Sequence, residues 1–456
     1  MRHSSFESIV ENGGRIHFIG IGGVSMSCIA ETLFIKGAGI TGSDMQEGPA
    51  VTRLRALGIP VEVGHRAENV QGTDLVVYTA AISGDNPELA AARALGIPVM
   101  ERAEALGHQM RGHGEVLCVA GTHGKSTTTA MAASISLQNG DDPTVMIGAD
   151  FAPIGGGYRM GNGSLFIAEA CEYSDAFLKF CPTVALILNI DNDHLDYFGS
   201  IEKIRESFRT FAELLPENGR LVVNCEDENT MKAVSGLERK TVTFGIDSGD
   251  IHTKNLELAG GLGRFTLVKN GEDIAEISLS VYGEHNVFDA LGAAAAMLEL
   301  GASPRSVAEG LAKFTGTGRR MEERGHCNGA DVMDDYAHHH SEMRAVLLAV
   351  KKMGYKRIVC AFQPHTFSRL ESQMEDFARV LGLADLVLVT DVYAAREKPI
   401  DGVDSKKLAS KIEGAEYTPT LEDTAKQLRE LAQKGDLIIT MGAGSINRVA
   451  GMITAP

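Results

Sequence analysis

Val116-Leu117-Cys118-Val119-Ala120-Gly121-Thr122-His123-Gly124-Lys125-Ser126-Thr127-Thr128 is the stretch that decides the fold. A continuous apolar run of this length suits a parallel strand buried on both faces. It feeds a Gly-x-x-Gly-Lys-Ser turn that opens a helical pattern, and so spells a strand–loop–helix unit. Backbone N–H groups of such a loop wrap phosphate oxygens, Lys125 reaches the terminal phosphates, and the Ser126 hydroxyl can ligate Mg²⁺. The generic pattern has glycine five positions before Gly124. Val119 stands there, so the loop is a variant.

The same rhythm runs outward in both directions. Arg15–Gly20, Leu75–Thr79, Val184–Ile190, Arg357–Phe362, Leu386–Thr390 and Leu437–Met441 are short β-branched runs followed by glycine turns and helical patterns. Alternating strands and helices imply α/β architecture with doubly wound sheets. The rhythm restarts twice, which divides the chain into three blocks: 1–112, 113–318 and 319–456. Within the second block, Ile251–Leu258, Arg264–Val268 and Ile274–Val281 lack intervening helices and read as a small antiparallel sheet. The alanine-rich Val287–Leu300 reads as a buried helix.

Composition narrows the function. The chain has 456 residues and a formal net charge of −17, which argues against a nucleic-acid binder, since phosphate backbones demand a basic footprint. Anionic small ligands remain open to it through a local basic pocket or a metal ion. The seven cysteines form no CxxC pair and several sit in apolar runs, so we expect buried free thiols and a reducing compartment. Met1 to Val10 lacks the apolar core of a signal peptide. No run approaches the ~20 apolar residues of a membrane span. A cytoplasmic protein is expected.

The first block carries Ile16-His17-Phe18-Ile19-Gly20-Ile21-Gly22-Gly23-Val24-Ser25, a near match to the dinucleotide fingerprint with Ser25 in place of the third glycine. Gly22 and Gly23 would admit a diphosphate at a helix N-terminus, and Asp44 follows at a spacing suited to a ribose hydroxyl. This motif alone leaves NAD, another nucleotide and a purely structural turn open. In the second block, Glu169 and the Asp191–His194 segment fall at strand carboxyl ends, where ligand crevices form. Glu169 and His194 can thus serve Mg²⁺ beside the phosphates, His194 being the less expected since Mg²⁺ favours oxygen. In the third block, Arg319 and Arg320 follow a glycine turn and supply the local positive charge. His338-His339-His340 invites a zinc reading, but successive helical residues point about 100° apart and cannot easily share one ion. His365 and Arg369 end the next strand.

These motifs, in this order, resemble the Mur ligase family of peptidoglycan synthesis. The resemblance spans essentially the whole chain and is carried by His17–Ser27, Thr79–Glu88, Gly121–Thr128, Glu169–Leu178, Asn189–Tyr197, Gly283–Ala290, Phe314–Met321, Asp335–Glu342, Phe362–Arg369 and Asp391–Pro399. It implies three domains: a Rossmann-like one for UDP, a P-loop-type one for ATP, and a Rossmann-like one that closes over both to bind the amino acid. The implied activity is Mg-ATP-dependent joining of L-alanine to the carboxylate of UDP-N-acetylmuramate through an acyl phosphate, by a monomer or weak homodimer. The resemblance assigns Gly121, Thr122, His123, Gly124, Lys125, Ser126, Thr127, His285, Asn286, Arg319 and Asp335 to ATP. It assigns Ser126, Glu169 and His194 to magnesium, and Gly22, Gly23, Ser43, Asp44 and His65 to the UDP substrate. Lys125, Glu169, His194, Arg319, His338 and Arg369 become the catalytic set, with His365 a further candidate at the substrate end. Ser25 and Ser126 replace a usual glycine and threonine, Asp289 a usual asparagine, and His340 a usual proline. Three alternatives have clear discriminators. A peptide-recycling ligase would differ in its acceptor, an NAD-dependent oxidoreductase would bind NAD, and a non-catalytic regulator would not turn over ATP.

Overall fold

A computed structural model describes residues 5–79, 82–395 and 397–454. Met1 to Ser4 of the N-terminal reading, Ala80 and Ala81 of Thr79–Glu88, Arg396 of Asp391–Pro399, and the last two residues of the third block lie outside the described residues. The chain forms two compact units, 1–244 with 292–306, and 245–291 with 307–456.

In the first unit, the apolar runs become strands as the pattern requires. Five parallel strands lie in the order Val61–Val63, Gly39–Asp44, Arg15–Ile19, Leu75–Tyr78, Val99–Glu101. This is a doubly wound sheet whose switch point falls at Arg15–Ile19, directly before the Gly20–Gly23 turn. A second sheet runs Lys240–Phe244, Arg220–Asn224, Val184–Ile187, Glu115–Ala120, Leu165–Glu169, Thr144–Phe151, Gly156–Arg159, parallel except for its last pair. The phosphate-loop strand is central and its Leu117–Ala120 are fully buried. One apolar core joins both sheets, from Ile16 and Phe18 through Leu106 and Cys118 to Phe177 and Phe208. Gly107 allows the close approach this needs, since a Cβ there would lie 2.0 Å from the Lys179 carbonyl oxygen.

The second unit opens with the expected antiparallel strands, Ile251–Ala259, Leu262–Lys269 and Glu272–Tyr282. Its main sheet runs Glu322–Cys327, Ala330–Asp335, Asp436–Met441, Arg357–Phe362, Leu386–Val389, Glu416–Tyr417, parallel except for the first pair. Helices His340–Lys351 and Phe367–Leu381 pack one face around Phe362 and Phe377. Helix Asn447–Thr454 packs the other around Val359 and Ile438. The alanine-rich stretch lies, but for Leu300, in helix Glu284–Glu299, whose residues from Gly292 onward belong to the first unit, with Ala293 to Ala296 buried. All seven cysteines are free thiols, four of them buried. No helix among the described residues is long and apolar enough to cross a membrane.

Candidate active site

The phosphate loop of the first unit is built by two glycines. Gly121 has φ +149, and a Cβ there would lie 2.9 Å from Leu188 Cβ. Gly124 has φ +82 and starts helix Lys125–Gln138 without a side-chain cap. Asn189 braces the loop: its carbonyl accepts from Thr122 N–H (3.0 Å) and its Oδ1 from His123 N–H (2.8 Å). The His123 ring is 3.1 Å from Asp191. Lys125 Nζ donates to the carbonyls of Gly121 (2.6 Å) and Thr122 (3.0 Å) and meets the buried Glu172 carboxylate at 3.0 Å. Burial alone would pull the ammonium pKa down; the Glu172 charge, aided by Cys171 and Glu169, more than offsets this and raises it above the ordinary lysine value.

Beside the loop, Ser126 Oγ donates to Glu169 Oε2 at 2.8 Å, and the same oxygen accepts from Gly148 N–H at 2.7 Å. A hydroxyl and a carboxylate side by side are an oxygen donor set of the kind Mg²⁺ prefers. His194 follows with φ +52, its ring tilted against Tyr173 with centroids 4.7 Å apart and its Nε2 3.8 Å from Asp193. Thr127 lies in the first turn of the helix, buried.

At the first glycine turn, Asp44 Oδ2 accepts from Gly22 N–H at 2.9 Å, so this carboxylate holds the turn itself. Gly23 caps helix Val24–Ile35 without a side-chain bond. Ser43 and His65 do not stand alone. The Ser43 hydroxyl donates to Glu88 Oε2 (2.6 Å), and His65 Nδ1 lies 2.9 Å from Ser43 Oγ and 3.1 Å from Glu88. Glu88 is fully buried, takes a further bond from Asn69, and has His17 Nε2 at 3.7 Å. Burial would raise its pKa, but these partners hold the carboxyl down at about 2. Near the same turn, Arg102 donates to Ser25 Oγ at 3.0 Å and makes no ion pair among the described residues, while its burial lowers the guanidinium pKa. Neither Glu88 nor Arg102 is singled out by the sequence pattern.

In the second unit, Arg319 adopts φ +58. Its guanidinium donates to Asp334 (2.9 Å), to the Gly442 carbonyl (2.6 Å) and to the Gly444 carbonyl (3.3 Å), and lies over the Tyr336 ring. Asp335 is buried and accepts from Met321 N–H (2.8 Å) and Ala337 N–H (2.7 Å). Burial pushes its pKa up to about 6, against the pull of Arg320. His285 is pushed down by desolvation and by Arg320, and Asn286 donates to the Tyr282 carbonyl at 2.6 Å. Only one of the three adjacent histidines is helical. His338 lies in the preceding turn with its ring 5.6 Å from His365, His339 caps the helix, and His340 begins it and approaches Gln373. The run thus lies where the turn after strand Ala330–Asp335 enters the helix, and the capping box of His339 with Glu342 sets the helix start. Arg369 lies in the first turn of helix Phe367–Leu381, and His365 stacks on Tyr393 at 5.7 Å.

Three family profiles match successive parts of the chain. Residues 15–113 match the profile described as "Mur ligase family, catalytic domain", 119–297 "Mur ligase middle domain", and 319–444 "Mur ligase, glutamate ligase domain". The chain is 42% identical over 98% of its length, and 99% of the relative's, to UDP-N-acetylmuramate–L-alanine ligase of Clostridium novyi. It is 44% identical to that of Caldanaerobacter subterraneus, covering 96% and 97%. The crystal structure of the UDP-N-acetylmuramate–alanine ligase of Thermotoga maritima superposes with a TM-score of 0.81 at 31% identity, covering 96% and 98% of the two chains.

Proposed function

The chain belongs to the Mur ligase family, and from that premise we propose that it joins L-alanine to the carboxylate of UDP-N-acetylmuramate at the expense of ATP, releasing UDP-N-acetylmuramoyl-L-alanine, ADP and phosphate. The observation that carries this reading is the 42% identity over 98% of the chain to a ligase of that name. An intact phosphate loop, with Lys125 and the Ser126–Glu169 pair in place, accompanies it. The chain works in the cytoplasm as a monomer or weak homodimer.

The division of labour follows the three blocks. Residues 1–112 take the UDP substrate, with Gly22 and Gly23 against the diphosphate, Asp44 fixing the turn, and Ser43 and His65 forming a wall tied to Glu88. Residues 113–318 take ATP. Thr122 and His123 are locked by Asn189, which leaves the N–H groups of Gly124, Lys125, Ser126 and Thr127 for phosphate oxygens. His285 and Asn286 serve the adenine. Residues 319–456 bring Arg319 and Asp335 to the nucleotide and His338, His365 and Arg369 to the amino acid.

The substrate carboxylate attacks the γ-phosphate, and the amino group of L-alanine then displaces phosphate from the acyl phosphate. The first step is phosphoryl transfer, which depends on position and charge neutralisation. Lys125 and Arg319 provide fixed positive charge for it. Mg²⁺, held by Ser126, Glu169 and His194, would neutralise further charge on the phosphates when bound. The acyl phosphate must be kept from water, so closure of the third block gates turnover. Mass spectrometry of a reaction with UDP-N-acetylmuramate, L-alanine and Mg-ATP tests the reading. A product heavier than the UDP-sugar by one alanine residue supports it, and unchanged UDP-sugar refutes it.

A further inference from the structure

A lysine ammonium has three N–H donors. Those of Lys125 meet the carbonyls of Gly121 and Thr122 and the carboxylate of Glu172, whose oxygens lie at 3.0 and 3.3 Å. The acceptors are not equivalent. Two are neutral backbone oxygens. The third is a charge only 2% exposed, and its Oε2 has no hydrogen-bond partner among the described residues apart from this ion pair. Releasing a neutral carbonyl costs far less than stranding a buried carboxylate without its cation. When a terminal phosphate claims donors of Lys125, the carbonyls therefore yield and Glu172 stays.

We infer that Glu172 is a positioning residue, which anchors Lys125 over the phosphate loop and aims its remaining N–H groups at the β- and γ-phosphates of ATP without touching the nucleotide. The inference rests on the ATP-using reading above. The two acids of Glu169-Ala170-Cys171-Glu172 then divide their work. Glu169 receives the Ser126 hydroxyl and the Gly148 N–H on the side suited to a metal ion. Glu172 faces the lysine.

The test is the ratio of ATP to AMP affinity, measured by calorimetry on the full chain with Mg²⁺ and no turnover. AMP lacks the phosphates that Lys125 reaches, so a general structural defect would move both nucleotides together. In Glu172→Ala the ATP-to-AMP ratio falls tenfold or more, while affinity for UDP-N-acetylmuramate stays within twofold of the native protein. Glu172→Gln keeps an acceptor oxygen in the same place but is neutral like the two carbonyls, so it loses the charge that ranks it above them and its ratio falls threefold or more. Should Glu172→Ala not fold, Glu172→Asp, one methylene too short to reach, gives the same tenfold fall. A ratio unchanged within twofold in these variants overturns the inference, as does parallel weakening of ATP, AMP and UDP-N-acetylmuramate. A native protein that discriminates ATP from AMP through Glu172 yet makes no UDP-N-acetylmuramoyl-L-alanine would overturn the proposed function and leave this inference standing.

Discussion

Replacing Glu88 with glutamine removes the charge that organises the wall of the first glycine-turn site. The carboxylate is fully buried and receives Ser43, His65 and Asn69. Its pKa falls from 4.5 to about 2, and at about 1.4 kcal/mol per unit that corresponds to about 3 kcal/mol. His17 Nε2, at 3.7 Å, lies beyond hydrogen-bond range, so its share is discounted and we take about 2–3 kcal/mol. The sign follows from linkage. A carboxyl whose folded pKa is depressed stabilises above its unfolded value of about 4.5, and that contribution is lost as pH falls toward about 2. The assay is hydrogen exchange of the Arg15–Ile19 and Gly39–Asp44 amides, which reports local opening without relying on tryptophan, absent from this chain. At pH 7, Glu88→Gln should exchange roughly 30- to 150-fold faster there, and the gap should narrow steadily below about pH 4.5. Equal exchange at pH 7, or a gap that does not change with pH, would refute the reasoning.

Three further outcomes are expected. Lys125→Ala abolishes turnover while calorimetry shows UDP-N-acetylmuramate bound as in the native chain, because the lysine serves ATP alone. Gly121→Ala forces a Cβ to 2.9 Å from Leu188 at φ +149; it should lose about 1–3 kcal/mol of stability and most ATP affinity, read by thermal unfolding with and without nucleotide. Arg102→Met removes a cation that has no ion-pair partner among the described residues beside the first glycine turn, and should raise KM for UDP-N-acetylmuramate about tenfold, one anion contact being worth about 1.4 kcal/mol, with KM for ATP unchanged.

What the sequence displays and what it hides have a common cause. The phosphate loop was legible because strand, turn, lysine and helix are contiguous, so one local pattern specifies both backbone and chemistry. The sheets were legible because burial on both faces leaves unbroken apolar runs. Glu88 reads in sequence as an acid in the first turn of helix Pro87–Ala94, and nothing local says that it turns inward to Ser43, 45 residues away. Arg102 meets Ser25 across 77 residues and Lys125 meets Glu172 across 47. Asp44 shows a second role that spacing alone does not reveal. Its spacing suggests a ribose, whereas its Oδ2 already holds the Gly22 amide. The histidine run sits where a strand ends and a helix starts, and the residue at which the helix begins is set by the His339 cap and Glu342 reaching back rather than by propensity.

The central claim is most directly tested by phosphate release from Mg-ATP with purified protein and UDP-N-acetylmuramate, comparing L-alanine, glycine, L-serine and an L-alanine-containing tripeptide. The account predicts release that requires the UDP-sugar and is fastest with L-alanine. Release only with the tripeptide, or none with any acceptor, would contradict it.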